Sequence, residues 1–200
     1  MSGHFARIAY TPGVRAMQQR YNGSEARAGN GSELPELGPR ERQFIAARDS
    51  FYLATTGKTG WPHVQHRGGA TGFLKVLDGF TLAFADFSGN RQYVSVGNLA
   101  DNDRAALILM DYPNRRRLKI LGRIEVIDLA IPQGDFLRGA VDAELLAKMQ
   151  PLGAEAERLL LIRVAAFDWN CSRHITPRFT ESEWQTRCSS TTTEPSLTKE

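Results

Sequence analysis

The segment GFLKVLDGFTLAFADF, residues 72–87, limits what this chain can become more than any other. Two apolar runs flank Asp78-Gly79, a dipeptide suited to the tight turn of an antiparallel hairpin. Similar runs recur on both sides of it. SFYLATT (50–56) passes through GKTG into WPHVQHR (61–67), which predicts a second hairpin. RAALILMD (104–111) has the continuous apolar run of a buried strand, and RLLLIRVAAFDWN (158–170) supplies the last one. In RLKILGRIEVID, Leu118, Ile120, Ile124 and Val126 share one face at period two. Gly122 falls on that same face and marks a bulge or a close approach. Six or seven mostly sequential strands with glycines at their corners predict a mainly β fold, a barrel with flanking helices, rather than a doubly wound sheet. No repeat of solenoid or propeller length is present.

Helical patterns fall between and beside the strands. Residues 1–38 read as an irregular leader with one short helix near Gly13–Tyr21. A helix starts at Pro39 in PRERQFIAARDS, a second covers about 90–98, and a third covers 133–149. The predicted organisation is a leader over 1–38, one domain over 39–180, and a polar tail over 181–200. The final dozen residues, SSTTTEPSLTKE, are expected to be disordered.

Composition narrows the function classes. Two hundred residues can bury a core without staples, and no apolar stretch reaches the length of a membrane span. The first residues lack the apolar core of a secretory signal, so a cytoplasmic, soluble protein is expected. Cys171 and Cys188 form no disulfide framework. Cys171 and His174 have a C-x2-H spacing without a second ligand cluster, so no metal is expected. Arginine supplies 20 of the 25 basic residues, a bias toward the planar, forked recognition of phosphate and carboxylate. Arg115-Arg116-Arg117 reads as a solvated turn, too short and too poor in interleaved aromatics for a nucleic-acid surface.

The stretch DFSGNRQY (86–93) is where chemistry concentrates. With a strand ending near residue 85 and a helix starting at 90, Ser88 or Gly89 would cap that helix. Its N–H groups would then suit a phosphate. Arg91 would lie in the first turn, where a cation opposes the helix dipole unless an anion balances it; the alternative is that it extends into water. Arg67 ends a strand and is followed by Gly68-Gly69, which either admit a ligand to the backbone or form a barrel corner. Lys75 lies on the next strand, so Arg67, Lys75 and Arg91 can converge. His66 alternates with Arg67 and faces the barrel or a dimer contact.

Taken together, the Arg67 and Lys75 strands, the turn SGNRQY, the strand after RRR and the terminal HITPRFT resemble the pyridoxamine 5′-phosphate oxidase-like split-barrel family, over roughly residues 40–180. They resemble in particular a bacterial subgroup with HRGG, GNRQY and HITPRFT motifs. The resemblance implies a six-stranded antiparallel split barrel, a homodimer, and FMN bound at the subunit interface. It implies that Arg67, Gly68 and Lys75 hold the cofactor, that Ser88, Asn90 and Arg91 sit at its phosphate, and that Arg117 stands where the oxidases have a flavin-contacting glutamine. Trp169 falls near a cofactor-contacting tryptophan and Arg178 near a downstream arginine, whereas Trp61 is structural. Arg173, His174 and Arg178 supply the residue types of the oxidases' substrate-phosphate motif at a different spacing, so the vitamin oxidase activity itself is not implied.

The expected function is therefore an FMN-dependent oxidoreductase acting on a small molecule. Its electrons would come from the substrate or from NAD(P)H, and no side chain stands out as general acid or base. The rival is a non-catalytic barrel that stores or senses flavin or haem, with His174 as the best haem ligand.

Overall fold

The computed structural model describes residues 3–26, 36–129, 143–150 and 156–191. Seven strands form one antiparallel sheet: β1 (Ser50–Thr56), β2 (Pro62–Gly68), β3 (Lys75–Val76), β4 (Thr81–Phe87), β5 (Arg104–Asp111), β6 (Arg116–Asp128) and β7 (Ala156–Trp169). Their order is β2-β1-β5-β6-β7-β4-β3. The strand beyond the six expected is β3, two residues long. Both predicted hairpins are present, β1 with β2 and β3 with β4. Gly79 serves the second by its lack of a side chain, since a Cβ there would come within 2.6 Å of the Glu36 side chain.

The sheet is open in its hydrogen bonding, and its two margins meet through side chains. One ladder row runs His66, Tyr52, Ile108, Lys119, Asp168 across β2, β1, β5, β6 and β7. Across the split, Arg67 on β2 reaches Asp86 on β4, and Asp86 pairs in register with Arg158. The stagger along β7, from 168 back to 158, is what tilted strands in a small barrel require.

The inward series of each strand fills the barrel. Phe51, Leu53, Leu82, Phe84, Leu107, Leu118, Ile120 and Ile162 belong to one buried cluster, each side chain contributing about 1.5–3 kcal/mol on full burial. Gly122 sits at a register shift between β6 and β7, and a Cβ there would meet Ile162 at 2.8 Å and the Arg163 carbonyl at 2.9 Å. The bulge and the close approach are therefore the same feature. A smaller cluster on the opposite face packs Ala83, Ile127 and Leu159 against Met149 and α5 (Ala143–Lys148).

Helices cover the margins. α1 (Gly3–Ala9) was not expected from the leader; it buries Phe5 and Ala6 and packs on β7. α2 (Pro12–Asn22) matches the predicted leader helix, with Thr11 at its start and Gly23 ending it at φ 69°. α3 (Pro39–Ala46) buries Phe44 and Ile45, and α4 (Val94–Asp101) lies beside β1 and β2. α5 is the end of the helix expected over 133–149, whose residues 133–142 lie outside the described residues. α6 (Glu181–Thr191) occupies the start of the predicted tail. The Thr180 hydroxyl accepts from the Glu183 N–H at 3.3 Å while the Glu183 carboxylate accepts from the Thr180 N–H at 2.8 Å, a capping box. Of the dozen residues expected to be disordered, 189–191 therefore end a helix, and 192–200 lie outside the described residues.

Candidate functional site

The loop after β4 departs from the expectation. Neither Ser88 nor Gly89 caps α4, because the helix begins at Val94 with Tyr93 as its cap residue. The Asn90 side-chain oxygen is spent locally, accepting the Gln92 N–H at 3.2 Å while its amide N–H groups stay available, and the Ser88 carbonyl accepts the Arg91 N–H at 3.0 Å. Arg91 therefore precedes the helix, and the dipole argument does not apply to it. A different device takes its place. Gly89, Arg91 and Tyr93 have φ of 49°, 57° and 52°, so every second residue is left-handed. Such alternation can curl a loop into a concavity that suits anions, with the Arg91 and Gln92 N–H groups here already donating within the loop. Two of the three are not glycine, each at a conformational cost of about 1–3 kcal/mol that the surroundings must sustain.

Facing this loop is a buried network of charges. Leu82, Phe84 and Asp86 alternate onto the inward face of β4, so Asp86 emerges at the barrel mouth, 3% exposed. Arg67 Nη1 donates to Asp86 Oδ1, and Arg158 Nε donates to Asp86 Oδ2 at 3.1 Å. Arg158 Nη2 also donates to Glu157 at 2.6 Å, and its guanidinium lies 4.8 Å over the Tyr93 ring. Burial works against the charge on Arg158, and the bonds to Asp86 and Glu157 outweigh it, holding its pKa above the ordinary arginine value. Arg67 keeps one nitrogen, Nε, buried with no partner. Gln65, on the same face of β2, accepts from the Ser95 hydroxyl of α4 at 2.9 Å.

A narrow cleft brings together Arg67, Ser88 and Asn90 from the predicted set, and adds Asp86, Tyr93 and Arg158. The other predicted residues do not line it. Lys75 is half-buried on β3 opposite Ala83, and Arg91 is exposed. Gly68 and Gly69 have a packing reason, since a Cβ on Gly69 would strike the Phe73 ring at 2.8 Å. Arg117 and Trp169 lie on opposite faces of the sheet, because Trp169 pairs with Leu118, next to Arg117. The Trp169 indole donates to Glu41 at 2.6 Å, and Arg178 stacks 5.1 Å over Tyr112. His66 meets Tyr52 edge-on on the outer face, opposite Arg67.

Sequence reasoning missed Asp86 and Arg158. An acid on the inward parity of an apolar strand was the available signal for Asp86. Among the described residues no group of three His, Cys, Asp or Glu side chains could hold a metal ion, and both cysteines are exposed. No helix among them is long and apolar enough to cross a membrane.

Over residues 37–170 the chain matches the family model described as pyridoxamine 5′-phosphate oxidase. The chain belongs to that family. The matched span includes the whole cleft and leaves out α1, α2, α6 and Arg178. No curated protein sequence matches the chain. Among solved structures, HupZ from Group A Streptococcus is similar with a TM-score of 0.50 and 13% identity, over 71% of this chain and 99% of that one. A general stress protein 26-related protein of Clostridium acetobutylicum has a TM-score of 0.43 and 17% identity, over 72% and 94% of the two chains. An FMN-binding protein from Syntrophomonas wolfei has a TM-score of 0.41 and 14% identity, over 65% and 83%. At these identities the likeness is one of fold: a split barrel of the oxidase type.

Proposed function

We propose that the chain is an FMN-binding flavoprotein that acts as an oxidoreductase on a small molecule. The observation that carries this reading is the state of Arg67. One of its nitrogens is anchored by buried Asp86, and its Nε is buried and unpartnered beside a loop of alternating left-handed residues. Arg67, Arg158, Asp86 and Glu157 cancel as whole charges. The pull on an anion then comes from the unused guanidinium nitrogens, the loop N–H groups other than those of Arg91 and Gln92, and the Ser88 hydroxyl, which has no partner among the described residues. This donor set fits a phosphate monoester. Arg67, Ser88 and Asn90 would hold it, Asp86 and Arg158 would fix the Arg67 fork, and Arg91 would add charge from the rim. Bound FMN would supply hydride or single-electron transfer, while the protein orients it and excludes water from one face.

A homodimer belongs to the same reading. The outer face of β1, β2, β5 and β6 presents Tyr52, Ala54, Val64, Ile108 and Leu121, with Val64 63% exposed. An apolar face of this kind is more than a solvated surface needs. The reading places the protein in the cytoplasm, with NAD(P)H or the substrate itself as electron donor. It is tested by the absorption spectrum of the purified protein, before and after heat release of the ligand. Two flavin bands and a released species with the mass of FMN support it. A protein that stays colourless in added FMN, or that carries a Soret band instead, contradicts it.

A further inference from the structure

The loop of residues 88–92 is bonded to itself. The hydrogen bonds it makes among the described residues run from the Arg91 N–H to the Ser88 carbonyl and from the Gln92 N–H to the Asn90 side chain. Tyr93, next in the chain, behaves differently. Its ring lies 4.8 Å from the Arg158 guanidinium of β7, and its hydroxyl donates to the Glu157 carboxylate at 3.4 Å. The end of the loop is thus tied to a strand distant in sequence.

Tyr93 also keeps a backbone conformation that it disfavours. Its φ is 52° and its ψ is 21°, the left-handed region where a Cβ crowds the following carbonyl. Glycine or asparagine enters that region more readily. The side chain brings nothing to the helix in return, because it caps none of the α4 N–H groups. An aromatic residue in this position is held from outside, and the side chains that hold it are Arg158 and Glu157. Of the two contacts the stack is the stronger, since 3.4 Å is long for a hydroxyl bond.

Arg158 is itself fixed. It is 9% exposed, and it donates to Asp86 at 3.1 Å and to Glu157 at 2.6 Å. Asp86 in turn accepts from Arg67, whose Nε is buried without a partner. A continuous series of contacts therefore joins Tyr93 to Arg158, Asp86 and Arg67. The loop and Arg67 line the same cleft. Whatever fixes the distance between them fixes the size of the anion that both can touch.

We propose that Tyr93 is a positioning residue for the cofactor's phosphate. Stacked on Arg158, its ring clamps the loop of residues 88–92 at the distance from Arg67 that one phosphate monoester bridges. The proposal rests on the flavin reading above and adds a residue that leaves contact with the phosphate to others. The clamp is the ring, so phenylalanine should preserve it.

The test measures the Kd of FMN and of riboflavin for the full chain, by fluorescence titration, in the wild type, Tyr93→Phe and Tyr93→Gly. Glycine is the discriminating substitution, because it adopts the left-handed conformation unaided and removes only the clamp. Tyr93→Gly should weaken FMN binding about tenfold or more, as loss of an orienting partner does at other sites, and leave riboflavin binding and the urea midpoint unchanged. Tyr93→Phe should bind FMN as the wild type does. Tyr93→Asn, which also tolerates the left-handed region, takes the place of the glycine variant if that one does not fold. Wild-type FMN affinity in Tyr93→Gly would show that the loop holds its own shape, and would overturn the proposal. Equal losses for FMN and riboflavin would make Tyr93 a contact of the flavin ring and overturn it too, as would equal losses in the phenylalanine and glycine variants. A wild type that binds neither flavin removes the flavin reading by itself. Inorganic phosphate then replaces FMN, read by the rise it causes in the urea midpoint. A rise kept by Tyr93→Phe and lost by Tyr93→Gly supports the clamp; one that is equal in all three proteins, or absent from the wild type, overturns it.

Discussion

Replacing Asp86 with asparagine keeps the shape of the side chain and removes the one charge that both Arg67 and Arg158 contact. The asparagine amide can accept one guanidinium bond, but its other arm now donates toward a donor. Two guanidinium groups remain side by side at the mouth of the split. At a separation of roughly 5 Å and an effective dielectric near 20, their repulsion is about 3 kcal/mol. Breaking a buried pair by deleting one partner costs about 3–5 kcal/mol. The side chains of Arg67 and Arg158 keep 15% and 11% of their exposure, so solvent screens part of this and the lower end, about 3 kcal/mol, is expected. For a chain of this size that lowers Tm by about 6–12 °C. Urea unfolding in an anion-free buffer gives the free energy directly. Phosphate should then restore stability to the variant, by about 1.4 kcal/mol for each tenfold excess over its Kd, because the oxyanion substitutes for the lost carboxylate. A variant within about 1 kcal/mol of the wild type, with no response to phosphate, would show that Asp86 does not organise the cleft.

Arg91→Ala should weaken FMN binding severalfold while leaving the urea midpoint unchanged, since Arg91 is exposed and its loss opens no cavity; full flavin occupancy in the variant would remove Arg91 from the site. Gly122→Ala forces a Cβ against Ile162 and the Arg163 carbonyl and should destabilise by about 1–3 kcal/mol, read by urea unfolding. The Tyr52 hydroxyl bond, followed by burial and the Tyr52 charge, holds the Tyr112 phenol above its ordinary value of 10.0, although Arg178 pulls it down. A raised folded-state pKa stabilises fully below the unfolded value and is lost as pH climbs through the folded one. Stability should therefore fall above about pH 10 in the wild type, and Tyr112→Phe should flatten that fall; an identical slope in the variant would mean that other groups set it.

The strands were the legible part of this fold because a period of two and a few turn residues specify them locally. Gly122 could be read from its position on an otherwise apolar face, and β1, β2 and β4 follow their apolar runs closely. The start of α4 was misplaced because Ser-Gly-Asn suits a helix cap and a free-standing turn equally. Asn90 spends its side-chain oxygen on Gln92, and that choice separates the two. α6 was legible and passed over: Thr180 and Glu183 have the capping-box spacing inside a segment that its polarity suggested was a tail. The Arg67–Asp86–Arg158 network could not be read from the sequence. It depends on how far a tilted sheet is staggered when its margins meet, and no local pattern carries that. Trp169 is a similar case, since its partner Glu41 lies 128 residues away and turns it toward α3.

The central claim is that the Arg67 cleft holds a phosphate monoester, and comparing the Kd of FMN with that of riboflavin tests it most directly. The two ligands share the ring and differ in the phosphate alone. The account predicts that FMN binds at least a hundredfold tighter, and that Arg67→Ala removes most of the difference with little change in riboflavin binding. Equal affinities in the wild type, or a difference that survives Arg67→Ala, would contradict it.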